Sequence, residues 1–349
     1  MESSAAGGLS ALEEKAKDTV LVISDLRMPQ MKGSDFLKIV HDTYPDIVTI
    51  LLTGYSETGE IVKAVSAGIF SFMMKPWESQ YLLSEVKKAF DYGETKRLNA
   101  NYLKIMEDEL KWAGELQKTI LQPKLPHSGL VELRASYRPL KNLYCGGDYY
   151  DVIALAKDRY LLLIGDVAGH GVRAAFITIM LKAVIYPEYI APRTTRDFSP
   201  AAFLGWLNNR MAFELRQTEG LVITFLAAVL DLGSKSLQYA NAGQPHPYLI
   251  HDNEIIELPV SGPALGISGS TSYMERSVGL ASGDILNFYT DGLTEVEIDK
   301  RWVQVPSHGL FSSVKYGADY HRQLMAMALQ ESEAKEFSDD VTLLTAQIL

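Results

Sequence analysis

The chain has 349 residues, with 33 Lys and Arg against 43 Asp and Glu, so its formal charge is −10. This length allows two or three domains with separate cores, and a composition with 47% apolar and 22% charged residues excludes a disordered or collagen-like chain. The acidic balance argues against a generic nucleic-acid partner, and no apolar run reaches the ~20 residues of a membrane helix.

The first residues carry no targeting signal that we recognise. Residues 1–8 lack the basic and apolar regions of a signal peptide, and the single cysteine, Cys145, cannot form an internal disulfide. We therefore expect a cytoplasmic protein with no membrane partner.

Residues 1–93 alternate between strand-like and helix-like patterns, which predicts a parallel, doubly wound sheet with helices on its faces. The strand-like runs cover residues 19–23, 47–52 and 69–74. Ligands of such sheets bind at the carboxyl ends of the strands. Asp25, Thr53 and Lys75 each lie at such an end, so we expect these three side chains to lie close together.

These three residues belong to motifs that resemble a two-component receiver domain. The motifs are Ser-Asp-Leu-Arg-Met-Pro-Gln-Met-Lys-Gly at 24–33, Leu-Thr-Gly-Tyr at 52–55 and Met-Lys-Pro-Trp at 74–77, where a cis-proline is expected. The resemblance implies that Asp25 accepts a phosphoryl group from an upstream sensor histidine kinase. It also implies that Thr53 senses this group and that Lys75 pairs with it.

The receiver resemblance has one departure. Receivers begin with a strand that ends in an acidic pair holding Mg²⁺, then a helix and a second strand, and none of these precedes the helical pattern at 10–17. At average element lengths this unit amounts to roughly 25–30 residues. Phosphoryl transfer uses a metal ion to neutralise charge. We therefore expect a truncated regulatory domain that accepts phosphate poorly, or a region that serves only in dimerisation or partner binding.

Residues 94–125 predict a helical linker, because they are charged and nearly free of Gly and Pro before Pro123. Apolar residues recur at steps of 4, 3, 7 and 4, close to a coiled-coil seam with Glu109 in the gap. This seam comprises Leu98, Tyr102, Ile105, Trp112 and Leu116. Either the helix packs on its own domain, or two chains form a homodimer through residues 98–116 and pass a signal along it.

From residue 126 to 349 the pattern changes to many short β-rich runs with a few long helical stretches. This pattern predicts an α+β domain, an α-β-β-α sandwich whose sheets are covered by helices. The expected architecture is therefore a receiver-like α/β fragment at 1–93, a long helix at 94–125 and the α+β domain at 126–349.

Four motifs in the last domain carry Asp where an apolar strand meets a turn. They are Cys-Gly-Gly-Asp at 145–148, Gly-Asp-Val-Ala-Gly-His-Gly at 165–171, Tyr-Thr-Asp-Gly at 289–292 and Ser-Asp-Asp-Val at 338–341. Carboxylates that converge from several strand ends repel one another unless a cation holds them. One such motif is usually just a turn, but four of them, without a comparable His or Cys cluster, favour a site for Mg²⁺ or Mn²⁺.

These motifs, in this order, resemble the metal-dependent type 2C (PPM) protein phosphatases, in particular their SpoIIE-like bacterial branch, over residues ~115–349. Further matching segments are Asn-Ala-Gly at 241–243, Gly-Pro-Ala-Leu-Gly at 262–266 and Asp-Asp-Val-Thr at 339–342. The resemblance implies two Mn²⁺ or Mg²⁺ ions and a set of catalytic metal ligands, namely Asp148, Asp166, Asp291, Asp339 and the carbonyl of Val167. Asp340 and Asp151 are candidates of second rank.

Some neighbouring residues are not expected to take part in the chemistry. Cys145 lacks the His and Arg surroundings of a reactive thiolate, which predicts a small packed residue. His170 lies between two glycines, which favours a structural role, although it can line the cleft. Relatives carry His where this chain has Gln244, and a histidine follows two positions later at His246.

The resemblance implies hydrolysis of phosphoserine or phosphothreonine on a protein, by water that two metal ions activate. It implies a phosphorylated anti-sigma-factor antagonist as the substrate. The alternative is a pseudophosphatase adaptor, since some receiver-linked relatives have lost their acidic ligands. All four principal Asp positions are filled here, which favours catalysis.

Overall fold

The computed structural model describes every residue except 55–57, 142, 192–197, 216–220, 270, 299–300, 318 and 332–335. The chain divides into two compact units, Met1–Glu107 and Asp108–Leu349. The division falls within one long helix, and each unit has its own sheets and its own apolar core.

The first unit is built on a three-stranded parallel sheet in the order β1-β2-β3. Its elements are α1 (Ala5–Lys15), β1 (Leu21–Asp25), α2 (Gly33–Thr43), β2 (Val48–Thr53), α3 (Thr58–Ser66), β3 (Ser71–Met74) and α4 (Ser79–Leu121). Helices α1, α2 and α3 pack on one face of the sheet, around Phe36, Leu37 and Leu51. Helix α4 packs on the other face, around Ile50 and Ala89. This confirms the doubly wound parallel sheet that the alternating pattern predicted.

Helix α4 is a single helix of 43 residues that begins in the first unit and ends in the second. Gly93 lets it lie close to the sheet, since a Cβ there would come within 2.5 Å of Val20 Cγ1. The helix ends at Leu121 because Pro123 disfavours helical backbone in the residue before it. The five seam residues are 40–62% exposed.

The second unit contains two five-stranded antiparallel sheets and a small hairpin, β13-β14. The sheet orders are β11-β8-β7-β6-β5 and β10-β9-β12-β15-β4. The elements are β4 (Val131–Arg138), β5 (Asp148–Ala156), β6 (Arg159–Val167), α5 (Val172–Val184), α6 (Pro200–Glu214), β7 (Ile223–Asp231), β8 (Ser236–Ala242), β9 (Tyr248–His251), β10 (Glu254–Glu257), β11 (Glu275–Gly279), β12 (Ile285–Tyr289), β13 (Glu295–Ile298), β14 (Arg301–Gln304), α7 (Ser307–Ser312), α8 (Tyr320–Glu331) and β15 (Val341–Ile348).

The apolar residues of this unit form three layers of core. Leu162 and Ile164 of β6 face the space between the sheets, whereas Leu161 and Leu163 face the layer that contains α5 and α6. Helices α7 and α8 cover the outer face of the other sheet. Strand β6 reads as a continuous apolar run because both of its faces are buried. The α-β-β-α sandwich is therefore confirmed.

No helix in the part of the chain that the structure describes is both long and apolar enough to cross a bilayer.

Candidate functional site

The carboxyl ends of the three parallel strands in the first unit bring Asp25, Thr53 and Lys75 together. Asp25 is the last residue of β1, and its Oδ2 forms an ion pair with Lys75 Nζ. The backbone N–H of Lys75 donates to the carbonyl of Thr53 at 2.7 Å. The peptide bond between Lys75 and Pro76 is cis, as the motif predicted. The three residues thus lie at one edge of the sheet, and poor phosphorylation of Asp25 stays a prediction.

In the second unit, four strand ends gather the predicted acidic residues. Asp148 begins β5 and lies directly opposite Asp166 of β6 in the antiparallel register. Asp291 follows β12, and Asp339 precedes β15, the strand that pairs with β12. The two sheets therefore each contribute two carboxylates to one region of the sandwich, near enough for the carboxylates to shift one another's pKa values.

The four carboxylates are held in an environment that disfavours their charge. Burial raises the pKa of Asp166 to about 8, and the charges of Asp291 and Asp339 add to this rise. Burial and the charge of Asp166 raise the pKa of Asp148 well above its usual range. Burial likewise raises the pKa values of Asp291 and Asp339. Such a cluster requires either protons or a cation to offset its repulsion.

Two local features show that the region fits a divalent cation. Oδ1 of Asp148 is buried and has no hydrogen-bond partner in the described structure, so one anionic oxygen is available to a ligand. A Cβ at Gly147 would lie 2.4 Å from the carbonyl oxygen of Val167 and 3.1 Å from Asp166 Oδ1, so this glycine keeps the space beside both oxygens open. All-oxygen donor sets of this kind suit Mg²⁺ and Mn²⁺.

Among the described residues, no three Asp, Glu, His or Cys side chains lie close enough together to surround one metal ion. The carboxylates line a region and do not form a finished cage. This arrangement differs from a closed structural zinc site, in which four side chains surround one ion.

Asp340 is a candidate of second rank, and both of its carboxylate oxygens accept hydrogen bonds from backbone N–H groups. Oδ1 accepts a hydrogen bond from the N–H of Leu140 at 2.6 Å, and Oδ2 accepts one from the N–H of Gly147 at 2.7 Å. Burial raises its pKa to about 6. Asp340 therefore holds the segment before Asp148 in place.

Asp151, the other candidate of second rank, lies outside the acidic cluster. Successive side chains of a strand point to opposite faces, so Asp151 and Asp148, three residues apart, face opposite sides of β5. Asp151 is 3% exposed and forms an ion pair with Lys182 of α5, and the hydroxyl of Tyr149 also donates to it at 3.3 Å. The structure therefore corrects the expectation that Asp151 joins the metal ligands.

His170 is closer to the acidic cluster than a purely structural role suggests. The side chain is exposed, and it lies near enough to Asp339 and Asp340 to offset a small part of the rise that burial gives their pKa values. It is thus an exposed imidazole near Asp339, in the turn that follows Asp166. The sequence motif placed it in this turn but did not show how near it comes to Asp339.

Cys145 and His246 have structural surroundings. Cys145 is fully buried, and burial raises the pKa of its thiol, so a packed residue is what the structure shows. His246 bonds through Nδ1 to Glu257 at 2.6 Å and through Nε2 to Ser261 at 3.1 Å, which ties its loop to the neighbouring segment. Gln244 is 5% exposed, and its backbone exchanges hydrogen bonds with the side chain of Asn241.

Gln117 of α4 is a buried polar contact that sequence reasoning missed. Its side chain is 1% exposed, and its Nε2 donates to the carbonyl of Gly146 at 2.8 Å and to Thr178 Oγ1 at 2.9 Å. Its Oε1 accepts from the N–H of Gly146 at 3.1 Å. Gly146 lies two residues before Asp148, so the helix touches the segment that carries the first carboxylate. A polar residue within a charged helix gives no periodic signal of burial.

Replacing Gln117 with Leu is expected to lower the free energy of unfolding of the second unit by about 2 kcal/mol or more. The buried N–H and C=O of Gly146 would lose their partners, and an unpaired buried polar group costs about 1–3 kcal/mol. Urea unfolding of the parent and variant chains measures this difference. Thr119→Ala is the matched control, because Thr119 is exposed and its hydroxyl bonds only to Glu115 within the helix. Equal unfolding free energies for Gln117→Leu and the control would contradict this role.

Comparison with known proteins gives two family matches. The family model for Stage II sporulation protein E (SpoIIE) matches residues 156–349, and the model for the response regulator receiver domain matches residues 2–87. Phosphoserine phosphatase RsbU of Bacillus subtilis is 29% identical over 203 residues, which cover 58% of this chain and 58% of RsbU. The chain thus spans little more than half the length of this relative.

Two solved structures have a similar fold. The PP2C domain of SiaA from Pseudomonas aeruginosa superposes with a TM-score of 0.61 at 23% identity, covering 72% of this chain and 100% of that domain. The RsbU and RsbW domains of a Mycobacterium tuberculosis protein superpose with a TM-score of 0.50 at 27% identity, covering 63% of this chain and 60% of that structure. At 23% identity, the similarity to the SiaA domain shows a shared fold and nothing more.

Proposed function

The chain belongs to the SpoIIE family, and from this premise we propose that it is a metal-dependent serine/threonine protein phosphatase under the control of its receiver-like unit. The observation that carries the proposal is the group of buried Asp148 and half-buried Asp166, Asp291 and Asp339, in which one oxygen of Asp148 has no partner among the described residues. A protein that only binds a partner has no need to keep four repelling carboxylates together.

The residues that would hold the metal are the four aspartates of this cluster and the carbonyl of Val167. Two Mn²⁺ or Mg²⁺ ions, when bound, supply a water of lowered pKa and neutralise the charge of a phosphoryl group. The chain itself orients the ligands, since Asp340 fixes Gly147 and thereby the start of β5. His170, exposed near Asp339, is the side chain we assign to binding a phosphate-ester oxygen.

The substrate we propose is a phosphorylated anti-sigma-factor antagonist, with phosphoserine as the first residue to test. The relative RsbU is named a phosphoserine phosphatase, which supports this choice. The decisive experiment incubates the chain with such a phosphoprotein and Mn²⁺ or Mg²⁺ and measures released phosphate. We expect release that stops in excess chelator. A folded chain that binds the phosphoprotein tightly but releases no phosphate with either ion would instead be an adaptor.

The receiver-like unit is proposed to receive its signal from a sensor histidine kinase and to pass it along α4. Support comes from the ion pair of Asp25 and Lys75 at one end of this route and from the contact of Gln117 with Gly146 at the other. Asp25 and Lys75 lie at the edge of the sheet on which α4 packs, and Gln117 lies in α4 itself.

We further propose a homodimer through the seam at residues 98–116, because five apolar side chains at coiled-coil spacing are exposed there. Ile105→Lys is expected to convert the dimer into a monomer, since it places a charge in the seam. Sedimentation equilibrium measures the mass. Leu103→Lys is the control, because Leu103 is 68% exposed and lies on another side of the helix. The same mass for Ile105→Lys as for the parent dimer would rule out this seam.

A further inference from the structure

Asp148 is held by two buried threonines that precede or follow the other candidate ligands. Oδ2 of Asp148 accepts a hydrogen bond from Thr290 Oγ1 at 2.8 Å and another from Thr342 Oγ1 at 2.7 Å. Both threonines are fully buried, and Asp148 is 2% exposed. The carboxylate therefore has one oxygen with two donors and one oxygen, Oδ1, without a partner among the described residues.

The direction of these hydrogen bonds follows from proton counting. The backbone N–H of Thr342 donates to Thr290 Oγ1 at 2.8 Å, so this hydroxyl already accepts one bond. A hydroxyl has a single proton, and the Thr290 proton is directed at Asp148. The backbone N–H of Thr290 in turn donates to the carbonyl of Thr342 at 3.0 Å. The network is closed, and both hydroxyls donate to the same carboxylate oxygen.

This network joins three ligand-bearing segments that are far apart in the sequence. Thr290 immediately precedes Asp291, and Thr342 follows Asp339 by three residues. A change in the position of either threonine would therefore move two candidate ligands at once. Hydrogen bonds around metal ligands commonly orient them in this way.

We propose that Thr290 and Thr342 are positioning residues that commit Asp148 to binding a divalent cation through Oδ1 alone. With two donors on Oδ2, the carboxylate cannot rotate to present both oxygens without breaking buried hydrogen bonds. The inference deepens the proposed phosphatase function, because it concerns the same cluster and the same class of ion.

The test is calorimetric titration of the full chain with Mn²⁺ alone. Thr290→Val and Thr342→Val keep the shape of the side chain and remove the donor, and each is expected to weaken Mn²⁺ binding by about tenfold or more. Thr290→Ser and Thr342→Ser keep the donor and are expected to bind Mn²⁺ as the parent does. At Mn²⁺ concentrations that saturate each variant, the Michaelis constants for the phosphoprotein are expected to match that of the parent.

Thr345→Val is the matched control. Thr345 lies on β15, the strand that carries Thr342, and is 4% exposed. Its hydroxyl forms a hydrogen bond with His321 Nδ1 at 2.9 Å. Its valine variant removes a buried hydroxyl without touching Asp148, so Mn²⁺ affinity is expected to match the parent. If a valine variant does not fold, the alanine variant at that position takes its place, because it also lacks the donor.

Folded valine or alanine variants that bind Mn²⁺ as tightly as the parent would overturn the proposal, as would serine variants as weak as the valine variants. A parent chain that binds Mn²⁺ with the expected pattern but releases no phosphate would contradict the phosphatase function and leave the positioning role standing. A parent chain that binds no Mn²⁺ would contradict both.

Discussion

Asp166→Asn is expected to reduce Mn²⁺-dependent release of phosphate from a phosphoserine protein by about 10³-fold or more. Asp166 lies opposite Asp148, and Asp291 and Asp339 are near enough to raise its pKa, so its carboxylate adds negative charge to the group. An amide has nearly the same shape but no charge, so it cannot offset a divalent cation. Metal ions contribute several kcal/mol to such reactions, and each 1.36 kcal/mol corresponds to about a factor of ten. Asp291→Asn is expected to have a similar effect.

The measurement is the initial rate of phosphate release at saturating Mn²⁺. Asp158→Asn is the matched control, since Asp158 lies in the turn at the far end of the same β5-β6 hairpin. Its φ of 57° is a conformation that Asn tolerates, so this variant should fold and keep the parent rate. Turnover by Asp166→Asn within tenfold of the parent would show that the cluster is not where the chemistry takes place.

Mn²⁺ is expected to raise the melting temperature of the second unit, and to raise it more at pH 8 than at pH 6. The folded pKa of Asp166 is about 8 against an ordinary 3.8, so the metal-free fold binds this proton more tightly than the unfolded chain does. The stability that this proton contributes is lost as the pH rises from about 4 to about 8. Metal binding needs the deprotonated carboxylates, so stabilisation by Mn²⁺ grows over the same range.

The size of this effect follows from mass action. At a Mn²⁺ concentration of about 100 Kd, binding adds about 2.7 kcal/mol, which raises the melting temperature of a unit of this size by about 5–10 °C at pH 8. Differential scanning calorimetry in chelator and in Mn²⁺ at several pH values measures it. In Asp166→Asn, both the Mn²⁺ shift and its dependence on pH should shrink. If Mn²⁺ raises the melting temperature of the parent equally at pH 6 and pH 8, or more at pH 6, this prediction is wrong.

Sequence patterns predicted both folds and placed the candidate carboxylates near the ends of strands. Parallel strands place Asp25, Thr53 and Lys75 at one edge by topology alone, and the structure has them there. The four Asp-bearing turns converge for a related reason, since neighbouring strands of each sheet end in the same region. Turn chemistry and strand periodicity are local signals that survive in a single sequence.

The residues that orient these carboxylates gave no such signal. Gln117 lies in a charged helix, Thr290 follows β12 and Thr342 lies in β15, and the burial of all three depends on contacts between distant segments. For Asp151, the spacing in the sequence already indicated that its side chain would not face the same side of the strand as Asp148. A separation of three residues from Asp148 puts the two side chains on opposite faces of a strand. Motif resemblance outweighed this strand geometry in the sequence-based prediction.

The contact between Gln117 and Gly146 has a consequence for how the chain can be divided. A fragment that starts at residue 126, where the helical pattern ends, would leave the buried N–H and C=O of Gly146 without their partners. Such a fragment would also expose Thr178 Oγ1 on α5. The smallest piece that is chemically self-sufficient therefore begins upstream of Gln117. The last turns of the long helix are, in this sense, the first element of the second unit's fold.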